Sequence, residues 1–330
     1  MSRSSTPTAG EPKRRPWSMR RMRLRRPHRP RRRLPDMSVL PTLCTLGNLV
    51  CGFAAIFYAA REPNLHMLWR DWTPLTFAGA LIFLGMFLDA IDGSLARLTN
   101  ATSELGAQLD SLADVVTFGV APAFMALRLV STHLNQDFII IGPEADNIFG
   151  KIIWGAAAVY VCCAALRLAR FNVEMDNDPF NDHSLFRGLP SPGAAGTVAS
   201  LVILHQHLLV TKFGGAPVIP GEALQADAPL GFVQWAALGI PLIMLACAFA
   251  MVSNVPYVHV VNRYFRGQKS FRYIVRLVIL LAFAIWSFRI TLAITLTAYA
   301  LSGPVRLLVN RIRRKPAPPG PPGASASPSV

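Results

Sequence analysis

The chain has 330 residues, of which 52% are hydrophobic and 15% charged, and its mean hydropathy is +0.37. Globular domains carry about 25% charged residues, so this depletion excludes an ordinary water-soluble domain and points to lipid as the solvent. The formal net charge of +15 is concentrated at the two ends.

Residues 1–36 hold 13 Lys and Arg against two acids, Glu11 and Asp36. This basic leader has almost nothing to bury and is read as lacking a fold of its own. Ahead of a membrane span, attraction to anionic headgroups is a simpler reading of its charge than nucleic-acid binding, and no nucleic-acid partner is expected. No cleavable signal peptide is predicted. The leader is too long for an n-region and the apolar run after it exceeds an h-region, so it reads as a retained first span.

Apolar segments recur at about 40–60, 74–97, 105–130, 150–168, 192–211, 230–253, 273–287 and 289–304. Most approach the ~20 residues that a helix needs to cross the hydrocarbon. The last two are separated only by Ser287, Phe288 and Arg289. A tight hairpin there, rather than one long tilted helix, lets Arg289 reach an interface. The expected fold is therefore an all-α integral membrane protein with about eight spans, seven being the alternative.

With the N-terminus inside, the outer loops 61–73, 131–149 and 212–229 hold only Arg61, Arg70 and Lys212. The inner segments hold Arg97, Arg167, Arg170, Arg187, Arg263, Arg266, Lys269, Arg272 and the tail cations Arg306, Arg311, Arg313, Arg314 and Lys315. This asymmetry puts both termini in the cytoplasm, which requires an even number of spans. The expected organisation is a leader (1–36), a membrane domain (37–305) and a basic, then Pro-rich tail (306–330). Cys44, Cys51, Cys162, Cys163 and Cys247 all fall in apolar stretches without zinc spacing and read as packing residues. The inner loop 169–191 is long, polar and punctuated by Gly188, Pro190 and Pro192, which marks it as a functional connection.

Four aspartates break the apolar pattern: Asp89, Asp92, Asp110 and Asp114. A carboxylate at the centre of a membrane helix costs roughly 2.5–3.5 kcal/mol on insertion scales. Asp89 and Asp92 are one helical turn apart at the end of the second segment, and Asp110 and Asp114 share a face at the start of the third. A helical hairpin through Thr99, Asn100 and Thr102 would bring all four together just inside the cytoplasmic boundary. Hard divalent ions take oxygen ligands, and Mg²⁺ is commonly held by carboxylates plus substrate phosphates. Gly93, Ala96 and Gly106 suit a place where a nucleotide or a neighbouring helix approaches the backbone. Arg97 offers a fork of donors for a diphosphate.

The stretch Asp89-Ala-Ile-Asp92-Gly93-Ser-Leu-Ala96-Arg97, followed by Gly106, Asp110 and Asp114, matches the pattern D-x2-D-G-x2-A-R-x8-G-x3-D-x3-D. It resembles the CDP-alcohol phosphatidyltransferases. That resemblance implies a six-helix membrane core, here with two further C-terminal helices, commonly dimeric, with a cytoplasmic site and two Mg²⁺ or Mn²⁺ ions. It implies that Asp89, Asp92, Asp110 and Asp114 bind metal and that Asp114 is also the general base. It further implies that Gly93, Arg97 and Ser103 contact the CDP-lipid.

The blocks LPTLCTLGNLVCG, DSLADVVTFGVAP, RLARFN, FRGLPSP and SNVPY resemble one subgroup, the membrane phosphatidylserine synthases. Thr42 departs from the subgroup, which usually carries Asn there. The first-span residues Thr42, Thr45 and Asn48 are expected near the nucleotide, with an interhelical hydrogen bond as the alternative for Asn48. Arg170 and Asn172 are candidate serine ligands, and Ser191 a weaker one; the alternative for these is boundary anchoring and a helix start. His205 and His207 receive no role, being expected toward the outer side.

The expected substrates are CDP-diacylglycerol and L-serine, and the expected setting is the cytoplasmic membrane, with a homodimer. Other acceptors, namely choline, glycerol 3-phosphate or an inositol phosphate, are the alternatives within the class. The acidic balance of Glu174, Asp176, Asp178 and Asp182 leans toward a small zwitterion. A cation transporter is the alternative from another class, but it would carry polar groups through the full bilayer depth.

Overall fold

The structure, a computed structural model, describes residues 39–61, 72–99, 104–133, 142–145, 148–177, 185–212, 230–258 and 287–313. Its helices are α1 (Val39–Ala60), α2 (Pro74–Thr99), α3 (Glu104–Asp114), α4 (Ala121–His133), α5 (Ile148–Asn177), α6 (Ser191–Lys212), α7 (Leu230–Val252) and α8 (Phe288–Arg313). A π-helical turn, Val115–Val120, joins α3 to α4 without a break. Two three-residue strands, β1 (Leu185–Arg187) and β2 (Pro256–Val258), pair antiparallel.

In lipid every backbone polar group must be satisfied within the chain, and long apolar runs therefore become helices. Seven stretches among the described residues are long and apolar enough to cross a membrane. They are Leu40–Ala60, Pro74–Leu95, Leu105–Thr132, Ile148–Val173, Ser191–Thr211, Trp235–Val252 and Phe288–Arg306. The predicted segment 273–287 lies outside the described residues, as do the leader, the distal tail and the hairpin turn through Asn100 and Thr102. The start of α2 shows the local logic. Pro74 occupies the first helical position, where no N–H is needed, and the Thr73 hydroxyl accepts the Thr76 N–H at 3.2 Å.

The π turn has a cause in the sequence. Pro122 has no N–H to offer the Phe118 carbonyl four residues earlier, and the Tyr160 hydroxyl from α5 donates to that carbonyl at 3.1 Å. The loosened ladder here is thus tied down by a side chain from the neighbouring helix.

Side-chain bonds fix the helix directions. Thr45 of α1 reaches Asp92 near the end of α2, so these two helices run antiparallel. Asn48 reaches Asp114, while Arg128 of α4 donates to the carbonyls of Ala59, Ala60 and Arg61 at the end of α1. Helix α1 therefore runs parallel to the α3–α4 span, and Arg128 serves the orphan carbonyls of its last turn. By the same reasoning α5 is antiparallel to α3–α4, through Tyr160–Phe118 and Asn172–Ser111. Helices α6 and α8 are antiparallel, with Thr197 bonded to the Leu296 carbonyl and His207 to Arg289.

The interior is built from small residues, including Ala55, Ala78, Ala121, Ala126, Ala195 and Ala199, all buried. This close backbone approach is what packs helices when no hydrophobic effect separates them from lipid. Phe53, Phe57, Phe87, Leu242 and Phe249 point outward.

One expectation is corrected. The 169–191 connection is not a loop from its start, because α5 continues to Asn177 before the connection begins. Helix α8 runs to Arg313. The expected all-α membrane fold holds, with one pair of three-residue strands beside the helices among the described residues. Strand β2 lies at the carboxylate end of the bundle, whereas α8 begins beside His207 at the opposite end.

This arrangement predicts labelling. In sealed vesicles, with the native cysteines replaced, Pro143→Cys and Ser287→Cys should react with an impermeant maleimide from one face. Ser94→Cys should react from the other. Labelling of Ser287→Cys from the Ser94 face would contradict the helix directions.

Candidate active site

Asp89 and Asp92 stand one turn apart in the last turns of α2, and Asp110 stands on α3. One carboxylate oxygen from each of these three residues lies within 4.8 Å of the other two. At that distance like charges repel by roughly 3–4 kcal/mol per pair at an effective dielectric of about 20. Asp92 is buried, and Asp89 and Asp110 are half-buried. The Oδ1 atom of Asp110 is buried with no hydrogen-bond partner among the described residues. A cluster of hard, negatively charged oxygens with an orphaned acceptor fits a divalent cation such as Mg²⁺ or Mn²⁺.

Asp114, one turn beyond Asp110, is not among these three converging carboxylates. It is buried, within electrostatic reach of Asp89 and Asp110, and accepts a hydrogen bond from Asn48 Nδ2 at 3.0 Å. Asn48 is fully buried on α1, and its interhelical bond is the alternative raised for it above. Thr45, one turn earlier on α1, donates its hydroxyl to Asp92 Oδ2 at 3.0 Å. Helix α1 thus hands one donor to each acidic helix. Thr42 is half-buried one turn below Thr45.

Two residues with no expected role join this network. Thr117, in the π turn, donates to the Asn48 carbonyl at 2.9 Å. Its side chain fits because position 52 is glycine: a Cβ there would lie 2.8 Å from Thr117 Cα. Ser111, between Asp110 and Asp114, accepts from Asn172 Nδ2 at 2.8 Å and donates to the Ala107 carbonyl at 3.1 Å. The helical spacing of Ser111 and Thr117 from the aspartates was visible, but their partners lie more than 60 residues away.

Gly93 is exposed, with no atom within 4 Å of where a Cβ would stand, leaving room for a ligand beside Asp92. Gly106 is half-buried in the first turn of α3. Ala96 and Arg97 belong to the last turn of α2, their side chains outside the described residues, and Ser103 also lies outside them. Arg170 is half-buried near the end of α5, in the turn that carries Asn172. Ser191 is buried as the first residue of α6. His207 contacts Arg289 at 2.5 Å in the far half of α6, on the other side of the bundle from the carboxylates.

The family model for CDP-alcohol phosphatidyltransferase matches residues 38–252. The chain is 35% identical over 167 residues to the CDP-diacylglycerol–serine O-phosphatidyltransferase of Helicobacter pylori, covering 50% of this chain and 58% of that relative. It is 34% identical over 174 residues to the Bacillus subtilis protein of the same name, covering 53% of this chain and 81% of the relative. A Saccharomyces cerevisiae protein of that name is 36% identical over 124 residues, 36% of this chain and 39% of its own length. The match thus spans little more than half of the Helicobacter relative. The carboxylate cluster, its two helices and the α1 donors all fall inside the matched region, and the chain belongs to the CDP-alcohol phosphatidyltransferase family.

Proposed function

We propose that the chain transfers the phosphatidyl group of CDP-diacylglycerol to the hydroxyl of L-serine, giving phosphatidylserine and CMP. The observation that carries this reading is the convergence of Asp89, Asp92 and Asp110 next to a separately held Asp114. The relatives' names supply serine as the acceptor.

Asp89, Asp92, Asp110 and Asp114 would hold two Mg²⁺ or Mn²⁺ ions, which when bound supply neutralising charge for the diphosphate and the departing CMP. Asp114 takes the proton of the serine hydroxyl as its oxygen bonds to the lipid-side phosphorus and the bond to the CMP oxygen breaks. Asn48 keeps the Asp114 carboxylate pointed at the incoming hydroxyl. Gly93 leaves backbone room for the nucleotide, and the family resemblance adds Arg97 and Ser103 as CDP-lipid contacts, with Ala96 and Gly106 as the small residues of the same motif. Arg170 pairs with the serine carboxylate. Asn172 orients α3 through Ser111. The Lys/Arg asymmetry supports a site on the cytoplasmic side of the cell membrane, and the reading includes a homodimer.

Purified protein in mixed micelles should release CMP from CDP-diacylglycerol when serine and Mg²⁺ or Mn²⁺ are added. Stimulation by choline, glycerol 3-phosphate or an inositol phosphate, and not by serine, would replace the acceptor. Asp114→Asn should lower turnover at least ~100-fold while leaving the elution profile in detergent unchanged; substantial residual turnover would remove it as the base. Titrated with Mn²⁺, the wild-type protein should show bound-ion electron paramagnetic resonance and a raised Tm. Asp110→Asn should lose most of both, and an unaltered Mn²⁺ affinity would refute the assignment of that ligand.

A further inference from the structure

The family match ends at residue 252, yet β2 and α8 return to the carboxylate end of the bundle. Strand β1, in the connection between α5 and α6, pairs with β2 in the register Leu185–Val258, Phe186–Tyr257 and Arg187–Pro256. Gly188 follows with φ +86° and donates its N–H to the Val255 carbonyl at 2.9 Å. Leu189 donates to the Ala250 carbonyl, in the last turn of α7, at 3.0 Å. A Cβ at position 188 would lie 3.0 Å from the Ser253 carbonyl oxygen and closer still to that of Met251. Both the left-handed backbone and the lack of space therefore demand glycine.

This turn is held from two sides. From α5, the buried Arg167 donates Nε–H to the Leu189 carbonyl. From α8, the Ala300 carbonyl accepts the hydroxyl of the buried Tyr257 at 3.0 Å, and the Tyr299 ring packs 5.9 Å from that of Tyr257. Gly303 permits this approach, since a Cβ there would stand 2.6 Å from the Tyr257 hydroxyl oxygen. Burial first, then Cys247 and Tyr299, pushes the Tyr257 hydroxyl up to about 12, so it remains a donor at physiological pH. Arg167 also stands five residues, about 7.5 Å along the axis, before Asn172, whose amide meets Ser111 between Asp110 and Asp114.

We propose that Arg167, Gly188 and Tyr257 form a positioning clasp through which the last span, α8, sets the acceptor-binding end of α5 against the carboxylates. This rests on the reading of α5 and its connection as the acceptor side of the site. The bonds given above for the three all end on backbone carbonyls, those of Leu189, Val255 and Ala300. The bonds of the clasp join α5, α7 and α8 to the turn before α6, whereas the nucleotide-side groups belong to α1, α2 and the start of α3. Loosening the clasp therefore acts on the alcohol and spares the CDP-lipid.

The test uses the full chain in mixed micelles. Tyr257→Phe keeps the ring and removes one hydroxyl. It should raise KM for serine roughly 3- to 10-fold, with kcat and KM for CDP-diacylglycerol within about twofold. Arg167→Lys, which keeps the charge and loses the fork geometry, should do the same. The double variant should fall short of the product of the two single effects, because both act through one turn. A structural role alone would lower Tm and move both KM values together. That result, or an unchanged serine KM in both single variants, overturns the clasp. If wild-type protein releases no CMP with serine but does so with another alcohol, the acceptor assignment fails. The same KM comparison with that alcohol then decides the clasp independently.

Discussion

Three carboxylate oxygens within 4.8 Å of one another, at the end of a membrane bundle, form an arrangement that repels itself. Nothing in the apolar part of the chain favours it, so its geometry must be imposed by helices whose positions are set elsewhere. Helix α1 does much of this. It runs antiparallel to α2 and parallel to the α3–α4 span, and from one face it presents Thr45 to Asp92 and Asn48 to Asp114. These two neutral donors orient the carboxylates without cancelling their charge. The cluster keeps its negative charge, and its shape is set by the protein's own donors.

The rest of the core supports that orientation. The π turn after Asp114 opens the helical ladder at a place where Pro122 has already removed a donor, and Tyr160 closes the account from α5. Thr117 in the same turn holds the backbone of Asn48. A π turn in the middle of a span is costly unless neighbours satisfy it. Here α5 satisfies the turn and the turn in turn holds α1, which carries the donors, so the irregularity and the site are tied together. At the other end of the bundle, Arg128 fastens α1 to α4 and fixes the register over the full length of both helices.

The outer elements address a different need. Helices α1, α2 and α3 carry the four aspartates and the donors Thr45 and Asn48, and α5 meets α3 at its last turns, through Asn172 and Ser111. A helix end that continues to Asn177, past the apolar part of its span, needs a lateral hold. Arg167 and the turn at Gly188 provide one, and Tyr257 extends it to α8. The last span, little buried along its length, meets the core mainly along α6 and at this clasp.

Much of this was legible in the linear order of residues. The spans announced themselves by length and apolarity, because lipid leaves the backbone no alternative to a helix. The spacing of Asp89, Asp92, Asp110 and Asp114 announced two acidic faces, because helical periodicity is a local property. What remained hidden depended on contacts between residues far apart in the chain. Thr45 and Asn48 reach their aspartates across 47 and 66 positions, and Tyr160 reaches Phe118 across 42. The continuation of α5 past Arg170 through a polar stretch, and the pairing of β1 with β2 far along the chain, likewise left no local pattern. Local pattern determined which residues are helical and which of them are acidic; only the packing of one helix against another decided which donor meets which carboxylate, since that choice is made by geometry in space and leaves no period in the chain.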